Sequence, residues 1–249
     1  NTSLHFKYIL DIKNSTETDK GINGFVTYGN YIFVATGFGI IKISAITLNF
    51  IDAPYYQLGN FTLKSRVYDL TILNDVIYAG TVSGVAHANL INSNLNNPAS
   101  WTNFNSSPLN TNVKTIKSFN GKVFAGATGG FMKFDGLNWE LYPNSNFSNT
   151  SIKSISPVGN RLYFISENYT YSAHKDSLPN VIPFNITDNC NTVFSDNNQK
   201  PLLGISEKGL NVSINNSMVY IAPNCPNRNS FYSITEDSKG NILTQIWLE

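Results

Sequence analysis

Five stretches of this chain repeat one pattern, and that repetition limits the fold more than any other feature. Gly29-Asn-Tyr-Ile-Phe-Val-Ala-Thr-Gly-Phe-Gly-Ile40 aligns with Asn74-Asp-Val-Ile-Tyr-Ala-Gly-Thr-Val-Ser-Gly-Val85 and with Asn120-Gly-Lys-Val-Phe-Ala-Gly-Ala-Thr-Gly-Gly-Phe131. Gly159-Asn-Arg-Leu-Tyr-Phe-Ile-Ser-Glu-Asn-Tyr-Thr170 follows the same rhythm. A fifth copy, Gln199 to Leu210, fits after one extra turn residue, and a sixth begins at Gly240-Asn-Ile-Leu. The position just before the last falls at Gly39, Gly84, Gly130, Tyr169 and Gly209, at intervals of 45, 46, 39 and 40 residues. Those intervals are about the ~40–50 residues of a four-stranded propeller blade.

Each unit reads strand, turn, strand, turn, strand, loop, strand. In the clearest one Val67 to Leu73 alternates toward a core, Asn74-Asp75 turns tightly, and Val76 to Gly80 is a short strand apolar on both faces. Val82-Ser83-Gly84 turns the chain again, with Gly84 free to take a positive φ. Val85 to Leu90 follows, and after an Asn-rich loop Trp101 to Phe104 closes the unit. The next unit places Trp139 in its own last strand. No 11-residue window shows a helical period with a cap, so helix should be scarce. Strands apolar on both faces need cover on both, and radial stacking of blades supplies it while leaving only short edges.

The expected fold is therefore an all-β propeller of four-stranded blades, forming a single domain over residues 1–249. Phe6 to Ile12 reads as an outer strand with no inner strands before it, and Phe231 to Trp247 as inner strands with no outer strand after them. Joined as one composite closing blade they give six blades; the alternative is part of a seven- or eight-bladed ring.

Composition agrees with this and excludes several functions. Charged residues are 13% and the net charge is +1, which provides neither the high net charge of a disordered chain nor a basic footprint for nucleic acid. Asparagine, about one residue in seven, supplies polarity in a form that favours turns. The longest apolar run, Tyr31 to Ile43, is interrupted by Lys42 and is shorter than the ~20 residues of a spanning helix. The chain starts at Asn1 without Met and shows no charged-then-apolar leader within it; a signal peptide, if there was one, is expected to have been removed. The ten Asn-x-Ser/Thr sequons are close to what chance gives in so Asn-rich a chain.

The stretches Asp11-Ile-Lys-Asn, Asp19-Lys-Gly-Ile-Asn23, Val34-Ala-Thr-Gly-Phe-Gly-Ile-Ile41, Val76-Ile-Tyr-Ala-Gly-Thr-Val-Ser-Gly-Val85 and Asn94-Leu-Asn-Asn-Pro-Ala-Ser-Trp101 resemble the N-terminal propeller of PorZ-type proteins. More loosely, the repeats resemble the two-component regulator propellers of hybrid histidine kinase sensors. The closer likeness covers about the first 140 residues; beyond Thr150 only the blade rhythm persists. It implies a non-catalytic component of type IX secretion in a Gram-negative bacterium, in the periplasm or at the cell surface. The partners it implies are other secretion or surface proteins and a lipopolysaccharide or other glycan. The C-terminal domain of PorZ-type proteins has no counterpart in these residues.

Residues that carry chemistry are sparse. His5, His87 and His174 lack a second His or a Cys at metal-ligand spacing, so no metal, cofactor or catalytic residue is expected. Asp69, Asp75, Asp135, Asp188, Asp196, Asp237, Glu140, Glu167 and Glu207 read as solvated turn or strand-edge residues, although a propeller glycosidase or lyase can assemble a carboxylate pair from different blades. Gly126 to Gly130 lacks the Lys-Ser/Thr ending and following helix of a phosphate loop. Thr235 to Asn241 lacks the ligand spacing of a calcium loop. Among the many aromatics, Tyr55, Tyr56 and Tyr142 stand in loop-like contexts and are candidate platforms for a sugar. Cys190 and Cys225 precede the inner strands of neighbouring repeats, each after an Asn, which makes them candidates for a disulfide in an oxidising compartment. The leading expectation is a binding or scaffolding propeller; a periplasmic glycan sensor and a propeller enzyme are the rivals.

Overall fold

The computed structural model describes residues 9–142, 150–166, 169–175, 182–184, 190–195, 201–206, 208–214, 217–221, 231–236 and 242–246. The chain divides into two compact units, Asn1–Ile116 and Lys117–Glu249.

In the first unit a one-turn helix, α1 (Leu10–Asn14), precedes a three-stranded antiparallel sheet of β1 (Ile22–Tyr28), β2 (Tyr31–Thr36) and β3 (Gly39–Ser44). A four-stranded antiparallel sheet follows, β4 (Val67–Leu73), β5 (Val76–Thr81), β6 (Gly84–Asn89) and β7 (Thr102–Phe104), in sequence order. These are the blades that the repeat predicts, with β4 falling on the expected residues. Asn74 and Asp75 have φ of 50° and 61°, the doubly left-handed turn whose twist suits a two-residue hairpin. Gly84 has φ 127°, and a Cβ there would come within 2.3 Å of the Phe104 carbonyl oxygen; the turn needs glycine for its torsion and for the close passage of β7. Thr81 locks the same turn, its Oγ1 donating to Gly84 O at 2.9 Å and accepting from Ser83 N–H at 3.1 Å.

Side chains from the two sheets interleave in one core. Phe33, Ile40, Tyr55, Leu58 and Phe61 pack in one cluster with the small Ala79, Ala86 and Ala88 and with Val67, Leu70 and Ile77. Each large side chain buried in this way stabilises the fold by about 1.5–3 kcal/mol. The other face of the first sheet gathers Val34, Phe38, Ile41 and Ile43 around Ile12 of α1.

Two expectations change here. The strand expected over Phe6 to Ile12 is helical from Leu10: Lys13 N–H donates to Ile9 O at 3.2 Å, and Ser15 Oγ closes the turn on Ile12 O at 2.8 Å. Burial of Ile12 is thus achieved by one helical turn; residues 1–8, which include Phe6 to Tyr8 of the expected strand, lie outside the described residues. Asp69, expected to be solvated, is buried inside β4. Its carboxylate accepts from Leu70 N–H at 2.9 Å, Ile116 N–H at 2.9 Å and Thr115 Oγ1 at 3.2 Å, tying the inner strand of the second blade to the strand that starts the next.

That strand, β8 (Val113–Phe119), carries the boundary between the units. It belongs to a sheet with β9 (Lys122–Ala127), β10 (Gly130–Phe134) and β11 (Trp139–Leu141). Two further four-stranded sheets follow in the second unit: β12 (Ile152–Val158), β13 (Arg161–Ser166), β14 (Tyr169–His174) and β15 (Ile182–Phe184), then β16 (Cys190–Ser195), β17 (Pro201–Ile205), β18 (Gly209–Ile214) and β19 (Ser217–Ile221). The hairpin of β20 (Phe231–Glu236) and β21 (Ile242–Ile246) ends the series. The core of this unit is a run of stacked rings: Phe124 on Phe131 at 5.6 Å, Phe131 on Phe164 at 4.7 Å, and Phe164 on Tyr171 at 5.4 Å. A second cluster packs Tyr163 and Ile165 against Cys190, Val193, Leu203 and Ile205.

One irregularity recurs in both units. The pairing of the first strand with the second shifts register between Ile22 and Gly24, Val67 and Asp69, Ile152 and Ser154, Cys190 and Thr192, and Phe231 and Ser233. A β-bulge therefore stands at the same place in five sheets.

Candidate functional site

Among the described residues the first sheet has no regular fourth strand. Leu48, at φ 61°, turns the chain after β3, and residues 49–55 run back along β3 through two isolated bridges, Ile43 with Phe50 and Ile40 with Tyr55. This segment meets the Asn-rich loop after β6, and between them lies a cavity of about 280 Å³. Tyr28, Tyr31 and Phe33 of the β1–β2 hairpin form one wall, Lys42, Asp52 and Tyr55 the second, and Leu90 with Ser93 to Asn96 the third.

Each wall is fixed by its own bonds. Tyr55 donates its hydroxyl to Asp52 Oδ2 at 2.7 Å, and Lys42 Nζ lies 3.6 Å from the same oxygen and 4.2 Å from the centroid of the Tyr31 ring. Burial, then the bond to Asp52, pushes the Tyr55 hydroxyl far above the ordinary tyrosine range; it stays a neutral donor. Tyr28 donates to Asp75 Oδ1 at 2.7 Å, which anchors that ring to the turn of the second blade. The loop is held from below by Trp101, whose indole N–H donates to Leu95 O at 3.0 Å, while Asn97 accepts from Ala99 N–H at 3.0 Å to start the short turn Pro98–Ser100. The stretch Asn94 to Trp101 is therefore a loop-shaping sequence.

The three candidate tyrosines separate. Tyr55 and Tyr142 are buried packing residues, and they hold one repeat position. Tyr55 bridges Ile40 and Phe104 pairs with Val85, while Tyr142 N–H donates to Phe131 O at 2.8 Å. In each case the partner directly follows the turn glycine, so a ring closes the outer edge of each of these blades. Their loop-like context in the sequence reflects a short or irregular fourth strand, which is why neither is an exposed platform. Tyr56 is half-buried between Phe38 and Lys64, beside the Glu17–Lys64 ion pair at 2.8 Å, and does not line the cavity. Tyr55 alone of the three reaches it, through its hydroxyl side.

His87 is half-buried between Tyr78 and Phe104, edge-on to both at 5.4 and 5.2 Å, and burial lowers its pKa. Asp135 is a turn carboxylate, accepting from Leu137 and Asn138 N–H, which together hold its pKa low. Glu140 is exposed and lies 3.8 Å from Lys133. His5, Glu167, Asp188, Asp196, Glu207, Asp237 and Cys225 lie outside the described residues. Cys190 opens β16 as a buried free thiol, its Sγ donating to Thr192 O at 3.4 Å and its pKa pushed up to about 11 by burial. Among the described residues no three His, Cys, Asp or Glu side chains are grouped to hold a metal ion, and Asp52 is the one carboxylate in the cavity lining.

Tyr31, Lys42, Asp52 and the Ser93–Asn96 loop are not among the candidate site residues that the sequence offers. The signal available was length: the intervals spanning the first two blades are 45 and 46 residues against 39 and 40 later, and the surplus builds the two segments that face each other across the cavity.

Residues 6–102, which include every residue lining the cavity, match the family described as the TSS9, PorZ, N-terminal beta-propeller domain. No curated protein is a significant match. Among solved structures, the extracellular domain of a hybrid two-component system from B. thetaiotaomicron superposes with a TM-score of 0.71 at 18% identity, over 97% of this chain and 33% of that one. PorZ, a surface component of the type-IX secretion system of Porphyromonas gingivalis, gives 0.61 at 18% identity over 92% and 30%. Catalytically inactive virginiamycin B lyase from Staphylococcus aureus gives 0.71 at 13% over 94% and 80%. The chain spans about a third of the length of the first two of these. The chain is thus an all-β propeller whose residues 6–102 match the PorZ N-terminal β-propeller domain.

Proposed function

We propose that the chain is a non-enzymatic, extracytoplasmic propeller domain over residues 1–249, acting as a binding and scaffolding module of PorZ-like type in type IX secretion and surface attachment. The observation that carries this reading is the coincidence of the family match, residues 6–102, with the segments that build the cavity. The cavity offers polar and aromatic groups for binding, and a lone carboxylate in place of the pair that glycoside hydrolysis uses. Among the described residues no helix is long and apolar enough to cross a membrane. The partners in this reading are other secretion or surface proteins and a lipopolysaccharide or other glycan, in the periplasm or on the surface of a Gram-negative bacterium. Deleting the gene and following a type IX cargo by fractionation tests it: cargo held back in the periplasm is expected, and undisturbed export overturns the reading.

The sensor reading rests on the superposition with the two-component extracellular domain. A membrane helix and kinase encoded downstream of Glu249 would favour it over the scaffold. A Cys190–Cys225 bond belongs to either extracytoplasmic reading as a part of this proposal. Mass spectrometry after unreduced alkylation is expected to show neither cysteine labelled; two labels overturn the bond.

A further inference from the structure

We infer that the cavity of the first unit holds one neutral sugar ring, an assignment that rests on the binding-module reading and names the ligand class of its site. Three observations lead there. The first is size: about 280 Å³ lies at the lower edge of the ~300–1,000 Å³ typical of small-molecule sites, enough for one ring and its hydroxyls.

The second is charge. Lys42 and Asp52 face each other at 3.6 Å, so the cavity is electrically balanced. An anionic ligand drawn to Lys42 meets the Asp52 carboxylate beside it, and a cationic ligand drawn to Asp52 displaces Lys42 from both the carboxylate and the Tyr31 ring. Either charge breaks an existing pair, whereas an uncharged polyol leaves it intact.

The third is the supply of hydrogen-bonding groups. Asp52 Oδ2 is engaged by Tyr55, but Oδ1 has no partner among the described residues, nor have the Tyr31 hydroxyl, the Asn94 amide N–H₂ or the Asn96 side chain. These groups combine acceptors with donors, a supply that suits hydroxyls able to do both. The half-exposed Tyr31 ring and that of Tyr28 add apolar surface for the C–H face of the ring.

Ligand-observed NMR and calorimetry on the full chain provide the test, with glucose, galactose, mannose and their disaccharides as probes and glucuronic acid and glucosamine as charged counterparts. At least one neutral sugar is expected to bind, with the charged counterparts at least tenfold weaker. Tyr31→Ala is expected to weaken binding at least tenfold and Asn96→Ala severalfold, both with an unchanged thermal midpoint; the exposed Asn96 keeps the test valid where the tyrosine variant is destabilised. Absence of neutral-sugar binding, equal binding of glucuronic acid, or indifference to both substitutions overturns the inference. The outcome is separable from the secretion reading: cargo held back in a deletion strain whose protein binds no sugar removes this site alone, and sugar binding with undisturbed export removes the secretion role alone.

Discussion

The first two blades carry the same glycine at the same turn and close their outer edges in different ways. In the second blade β7 pairs with β6 in register, Phe104 opposite Val85 and Thr102 opposite His87. In the first, residues 49–55 touch β3 at two points and bow away between them. A regular outer strand satisfies the edge of the sheet and leaves no space beside it. An irregular one leaves Lys42 and Asp52 at the rim, facing the next blade's loop. The difference shows that in a repeat fold a cavity arises where the repeat is incompletely executed, beside a copy whose edge is regularly closed.

The largest expected effect concerns the ring that closes each edge. Tyr55→Ala removes a fully buried side chain from the core and is expected to cost about 3–5 kcal/mol. Phe104→Ala, at a half-buried position, is expected to cost less, and equal losses in urea unfolding would erase the distinction between the edges. Next are the turn glycines. Gly84→Ala forces a Cβ into the Phe104 carbonyl oxygen at 2.3 Å, and Gly39→Ala into that of Tyr55 at 2.4 Å, both at φ near +130°. Gly84→Ala is expected to lose about 2–4 kcal/mol, and Gly39→Ala about half of that because its closing segment has room to shift. A larger loss for Gly39→Ala would mean that the irregular segment is the stiffer one.

The smallest effects are in pH dependence, where the two edges act at opposite ends of the scale. His87, beside Phe104, has its pKa lowered by burial. The unfolded chain therefore binds the proton more readily, and stability falls as pH drops below the unfolded value of about 6.5. Tyr55 has its pKa raised by burial and by Asp52. Its contribution is complete below about pH 10 and is lost as pH rises past that unfolded value. Unfolding midpoints measured across pH are expected to flatten on the acid side in His87→Phe and on the alkaline side in Tyr55→Phe. A variant that flattened the opposite limb would reassign both.

Blade rhythm was legible in the sequence because its carriers are local: Asn-Asp and Asn-Gly turns, a glycine forced by torsion and contact, and five- to seven-residue apolar strands. The cavity was not, because its third wall, Leu90 and Ser93 to Asn96, comes from a segment about 35–70 residues beyond the other two, and their facing is a tertiary fact. Tyr55 and Tyr142 illustrate the difficulty. Both sit where the strand pattern fades, and a fading pattern looks the same whether a ring turns outward to a ligand or inward to close a blade. Asp69 fails for a related reason: its role depends on the backbone N–H of Ile116 in the next blade, which alternation within one strand cannot reveal. At Leu10 to Ile12 a short apolar run that reads as strand is one helical turn, which buries Ile12 equally well.

The recurring bulge has a consequence for how such a chain avoids tangling. Near-identical hairpins invite exchange, since any first strand could zip onto the wrong second strand or slide along the right one by two residues without moving a side chain to the other face. In the hairpins β1–β2, β4–β5 and β12–β13 a two-residue turn fixes one end, and an extra residue at Asn23, Tyr68 or Lys153 fixes the other. A slipped pairing would carry the bulge out of step with the turn and forfeit ladder bonds at both ends. Each hairpin thereby proofreads its own alignment from contacts close in sequence, before any neighbour is present, so the array can assemble piece by piece from correctly threaded parts.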